Sequence, residues 1–153
     1  MADLYGVNAT KLRNVPEEKI PTGEQSGKLR VAYDKYSLAA AISTDTINLM
    51  LIPKGARIID VVVKFADLSS GSGTLDVGWA ASSDAVESAD DDGFFNELAV
   101  GSAGCKSIVD TNASIVGHLK KFDAECRLII TNGGTSCDAT SGDIEVTVLY
   151  TME

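Results

Sequence analysis

Five of the six residues from Ile58 to Val63 are β-branched, with Asp60 the exception. Such side chains lose rotamer freedom in a helix and pack well on a pleated surface, so this run reads as a strand. Its neighbours continue a period of two: Ile59, Val61, Val63 and Phe65 alternate with Ile58, Asp60, Val62 and Lys64. Period two is the signature of a half-buried strand, and it recurs along the chain. Leu29, Val31 and Tyr33 alternate with Arg30, Ala32 and Asp34; Ile47, Leu49 and Leu51 alternate with Asn48, Met50 and Ile52. Leu75, Val77 and Trp79 share a face, as do Cys126, Leu128 and Ile130, and Ile144, Val146, Val148 and Tyr150. Pro53-Lys54-Gly55 supplies a turn, Pro presetting one dihedral and Gly permitting positive φ.

Six strands, or eight with the weaker apolar stretches, predict an all-β fold: an antiparallel β-sandwich with one wet face per sheet. Long uneven loops favour a jelly-roll-like arrangement over an up-and-down barrel. One short helix is expected where Asp92 caps a turn carrying Phe94, Phe95 and Leu98 on one side. Residues 101–114 are rich in Gly and Ser and carry no clear pattern. Residues 1–27 have few large apolar side chains and are punctuated by Pro16, Pro21, Gly23 and Gly27. They read as an extended N-terminal arm, leaving 28–153 as one β-sandwich domain. A chain of 153 residues is long enough for this, since a domain near that size buries roughly 68–70% of the surface its unfolded form exposes.

The formal net charge is −9, and it is unevenly placed. Residues 1–35 and 36–65 each balance to +1, while 66–153 carry −11. An acidic body repels phosphate, so no nucleic-acid partner and no anionic membrane is expected. No apolar run opens the chain and none approaches the length of a membrane span, so a cytoplasmic origin with free thiols is expected. Cys105, Cys126 and Cys137 fit no zinc or redox spacing. Cys126 reads as a core filler, with a Cys126–Cys137 disulfide the less favoured alternative.

Few motifs suggest chemistry. Asp90-Asp91-Asp92-Gly93, with Asp84 and Glu87 nearby, is the best metal candidate, but its spacing is not that of an EF-hand. A solvated loop leading into a helix N-terminus explains it more simply. His118 is the single histidine and lacks any local nucleophile signature. Trp79 reads as core, with a sugar-stacking platform as the sharper alternative. No catalytic residue, cofactor or metal site is therefore expected.

Two stretches carry a resemblance. Val31-x-Tyr33-Asp34-x-Tyr36 leads through Ile47-x-Leu49 to Leu51-Ile52-Pro53-Lys54-Gly55-Ala56-Arg57-Ile58-Ile59-Asp60. Gly73-Thr74-Leu75-x-Val77-Gly78-Trp79-Ala80 follows. Together they resemble the jelly-roll decoration, or cement, proteins encoded beside the major capsid protein in tailed phages. The resemblance implies a structural virion protein on the outer capsid surface, made in the bacterial host cytoplasm. It also implies the major capsid protein as partner, a homotrimer, and an arm that reaches onto the capsid or a neighbouring subunit. Leu4, Tyr5, Val7, Leu12, Arg13, Val15 and Ile20 are the arm residues expected to make that contact. A head-fibre or tail adhesion module binding host glycans is the alternative, with Trp79 and the acidic loop at 84–93 as its site.

Overall fold

The computed structural model describes residues 27–110 and 115–153, together with Val7, Thr10, Lys11, Pro16, Lys19 and Ile20. Among the described residues, eight strands run in order: β1 (Arg30–Ser37), β2 (Ile47–Ile52), β3 (Ala56–Phe65), β4 (Thr74–Trp79), β5 (Asp90–Ala99), β6 (Gly104–Ser107), β7 (Cys126–Asn132) and β8 (Asp143–Met152). They form two antiparallel sheets, β1-β8-β3-β6 and β2-β7-β4-β5. First pairs with last, second with seventh, third with sixth and fourth with fifth. This is a long hairpin folded over on itself, the order of a jelly roll.

The core lies between the sheets. Ile58, Val61, Val63 and Phe65 of β3 and Ile144, Val146 and Val148 of β8 form one wall. Leu75, Val77 and Trp79 of β4, with Cys126, Leu128 and Ile130 of β7, form the other. Cys126 is buried, and all three cysteines are free thiols, so no disulfide staples the sandwich. Gly55, at φ 82°, closes the turn from β2 to β3, where the Ala56 amide donates to the Pro53 carbonyl at 3.1 Å.

Three elements depart from the simple alternation, and each has a physical reason. In β3, Ile58 opposes Tyr150 and Asp60 opposes Leu149, so Ile59 is a bulge residue. The extra residue switches the phase, placing Ile58 on the core face with Val61 although they are three apart. In β2 the register shifts between Asn48 and Leu51, so Ile52 is buried and Leu51 exposed. The expected helix over 92–98 is instead part of β5, whose register with β4 slips twice. These slips let consecutive Phe94 and Phe95 both turn inward, which from sequence mimics the apolar side of a helix. β5 crosses β4 so closely that a Cβ on Gly78 would sit 2.0 Å from the Asp90 carbonyl oxygen. A helical turn lies at Ile108–Asp110, directly after β6, in the stretch that carries no sequence pattern.

The fourth departure concerns exposure. β1 has the expected alternation, but Val31 and Tyr33 point to the outer surface and are 63% and 57% exposed. Ala32 and Asp34 occupy the half-buried inner side.

The bulge predicts an unusual mutational pair. Both Ile58→Asp and Val61→Asp should bury an unpaired charge and lower stability by at least about 4 kcal/mol. Unbroken alternation would place these two positions on opposite faces and spare one. Thermal melts and soluble yield of the two variants check this.

Candidate functional site

The two sheets present chemically different outer faces. On β1-β8-β3-β6 the exposed charges are arranged as a ladder. Lys35 of β1 pairs with Asp143 of β8 at 2.7 Å, and Lys64 of β3 pairs with Glu145 of β8 at 3.0 Å. Ser37 Oγ donates to Asp143 at 2.6 Å, and the Tyr33 hydroxyl donates to Glu145 at 3.2 Å. Hydrogen bonding from Lys35 and Ser37 holds the Asp143 carboxyl below its ordinary range, and Lys64 does the same for Glu145. Exposed pairs of this kind contribute little stability, because water and salt screen them. Their effect is to cancel charge, leaving a neutral face with Leu29, Val31 and Tyr33 uncovered along its β1 edge.

The opposite sheet is acidic and uncompensated. Asp76 of β4 and Asp90, Asp91, Asp92 and Glu97 of β5 crowd together, and none has a basic partner among the described residues. Desolvation, reinforced by the neighbouring carboxylates, raises the pKa of Asp90. Asp76 is raised for the same reasons, although it accepts the Glu97 amide at 2.7 Å. Because the aspartate run lies on a strand, Asp91 is exposed while Asp90 and Asp92 are half-buried. Among the described residues, no three His, Cys, Asp or Glu side chains converge as a metal site would require.

A cleft of about 520 Å³ opens where the segment 86–90 meets 116–120. Leu119, which lines it, and Ala85, which precedes the lining residue Val86, adopt left-handed backbone at φ 60° and 58°. Beneath it, buried Glu87 ties the walls together. Its carboxylate accepts the Asp123 amide at 2.7 Å and the Lys120 ammonium at 2.9 Å. Burial opposes ionisation there, but these two donors outweigh it and lower the Glu87 pKa. Val86, Val116 and His118 stand exposed along the cleft.

Trp79 also borders this cleft, yet it serves the core. Its ring is 2% exposed, lies edge-on to Phe94 and Phe122 at 5.1 Å each, and has the Lys120 ammonium 5.3 Å from its centroid. Its indole N–H donates to the Ser88 carbonyl at 3.0 Å. A ring so covered offers no face on which a sugar can stack, so the glycan alternative loses its platform.

Of the expected arm residues, Val7 is helical and 74% exposed, and Ile20 is half-buried. Leu4, Tyr5, Leu12, Arg13 and Val15 lie outside the described residues. Sequence reading missed the neutral ladder, whose partners lie more than a hundred residues apart for Lys35 and Asp143. A signal was present in the alternating acids of Asp143 and Glu145 facing Lys35 and Lys64, but only strand order reveals it.

The fold is shared with chains of two phage capsids. A chain of the cyanophage Pam1 capsid asymmetric unit superposes with a TM-score of 0.63 at 20% identity, covering 83% of this chain and 86% of that one. A chain from the capsid of Ralstonia phage GP4 gives 0.61 at 18% identity, covering 81% and 85%. No family model and no curated protein matches the sequence.

The Glu87 clamp predicts a pH signature. A carboxylate whose folded pKa is depressed stabilises fully above its unfolded value, about 4.3, and loses that contribution as pH falls through the folded value. Glu87→Gln should therefore cost about 2 kcal/mol at neutral pH. The gap between variant and parent should close as the pH drops below about 4. Urea denaturation of both proteins across pH 3–7 measures it; a gap independent of pH would show that the charge is not the source.

Proposed function

We propose that this chain is a structural virion protein that decorates and stabilises a tailed-phage head by binding the major capsid protein from outside. The observation that carries the reading is the jelly-roll match to two phage capsid chains over more than four-fifths of each partner. The two-faced surface supports it and suggests an orientation. The neutral sheet lies beside the point where residues 1–27 join β1, so the arm and that face approach the shell together. The uncompensated carboxylates of β4 and β5 then look to solvent, where like charge keeps particles apart.

The association is multivalent. An arm that orders on docking loses conformational entropy, which lowers its affinity per contact. Repetition over a shell and association into a homotrimer, the expected state, offset that cost by raising effective concentration. No active site is required for such a role, and the reading assigns the chain none.

Deleting residues 1–25 should leave the melting temperature within a few degrees of the full chain. It should weaken attachment to purified heads lacking the protein by tenfold or more. Co-sedimentation with such heads gives the affinity, and mass photometry gives the oligomeric state. Undiminished binding by the truncated chain would remove the arm from the interface, and no binding by either form would overturn the capsid reading.

A further inference from the structure

We propose that β1 is a self-association edge, pairing antiparallel with β1 of a second copy about a two-fold axis through Ala32. Among the described residues β1 bonds to β8 on one side only, so alternate residues of this eight-residue strand direct unpaired N–H and C=O groups to its other side. Such an edge is a template for another strand unless something covers it. Leu29, Val31 and Tyr33 stand more than half exposed along it, an apolar cluster continuous with the edge.

The side chains select both the occupant and the register. Arg30 and Asp34 lie on the same face of β1, four residues or about 13 Å apart, too far to pair with each other. Neither has an ion-pair partner among the described residues. Charges on an edge strand ordinarily deter pairing, but these two have opposite sign and are placed to satisfy each other across a two-fold.

Only registers that keep the outer faces continuous are allowed, so opposed residues must both be odd or both be even. With Ala32 opposite Ala32 of the second copy, each Arg30 faces the other copy's Asp34. Each Val31 then faces the other copy's Tyr33 on the outer surface, an aromatic–β-branched pair that stabilises sheets. Centring on Tyr33 instead puts Arg30 against Tyr36. Centring on Asp34 opposes two aspartates. Centring on Val31 leaves Arg30 against Ala32. The overall charge of −9 does not prevent the contact, because the ladder neutralises this face and the uncompensated carboxylates belong to the other sheet.

This contact depends on the chain's own edge and not on the capsid reading. A two-fold contact closes on itself, so it joins two assemblies and does not build a three-fold ring. The test uses the full chain with Cys105→Ser, which removes the exposed native thiol. Opposed residues in an antiparallel pair have Cα atoms about 4.5–5.5 Å apart, within the reach of a disulfide.

Ala32→Cys should give a covalent dimer under mild oxidation, read on a non-reducing gel. Tyr33→Cys should not, because its equivalents are offset by two residues, about 8 Å apart. In sedimentation, Arg30→Asp should weaken self-association at least tenfold, and Arg30→Asp with Asp34→Arg should restore it. Circular dichroism melts confirm that each variant folds. An Ala32→Cys protein that stays uncross-linked, equal cross-linking at Tyr33→Cys, or a double variant no tighter than the single one would overturn the proposal. Capsid attachment, assayed separately, is unaffected by that outcome.

Discussion

The insertion of β8 between β1 and β3 is the constraint on which the rest of the molecule depends. These are the longest ladders of the fold, and every contact in them spans most of the chain. Ile144, Val146 and Val148 close one wall of the core only when the last strand arrives. The sandwich therefore cannot be completed by local hairpins, and loop-closure entropy must be overcome before the long-range pairing returns any stability. The same insertion sets the surface. β8 brings Asp143 and Glu145 between Lys35 of β1 and Lys64 of β3, so two acids from the strongly acidic part of the sequence neutralise bases from its neutral part.

That return changes the meaning of the linear charge split. Along the sequence, all of the net negative charge follows residue 65. In space, the divide runs between sheets. Carboxylates on β8 and at Glu153 find lysines or Arg57, whereas those on β4 and β5 find no basic side chain among the described residues. The raised pKa values of Asp76 and Asp90 express that crowding.

The fold class was legible because β-branched alternation is a local signal with a local cause. Leu75, Val77 and Trp79 in β4, and Ile144, Val146 and Val148 in β8, face the core as their spacing predicts. Where the structure departs, the cause is non-local. A bulge at Ile59 depends on what β8 offers opposite it, and no periodicity within β3 announces it. Phe94 and Phe95 read as one side of a helix because a strand slipping against β4 can also turn neighbours inward. The exposed face of β1 was illegible for another reason: alternation separates two faces but does not say which one meets the core. Of the candidate site, Trp79 and the acidic run were located from sequence. The role of Trp79 was decided by its burial, and that of the acidic run by the lack of a basic partner among the described residues, both of which only packing supplies.

The polarity of the domain bears on how many copies can share one surface. Exposed charges separated by more than about 8 Å are largely screened at physiological salt, so repulsion between packed copies is set by the groups nearest each contact. The proposed contact through β1 would bring together apolar side chains and two opposite charges that have no ion-pair partner among the described residues. A contact through β4 and β5 would press unpaired carboxylates against each other. The fold thus distinguishes a side suited to association from a side suited to solvent. It does so with the same strand, β8, that completes the core, so a change that displaced β8 would remove the core wall and the neutral face together.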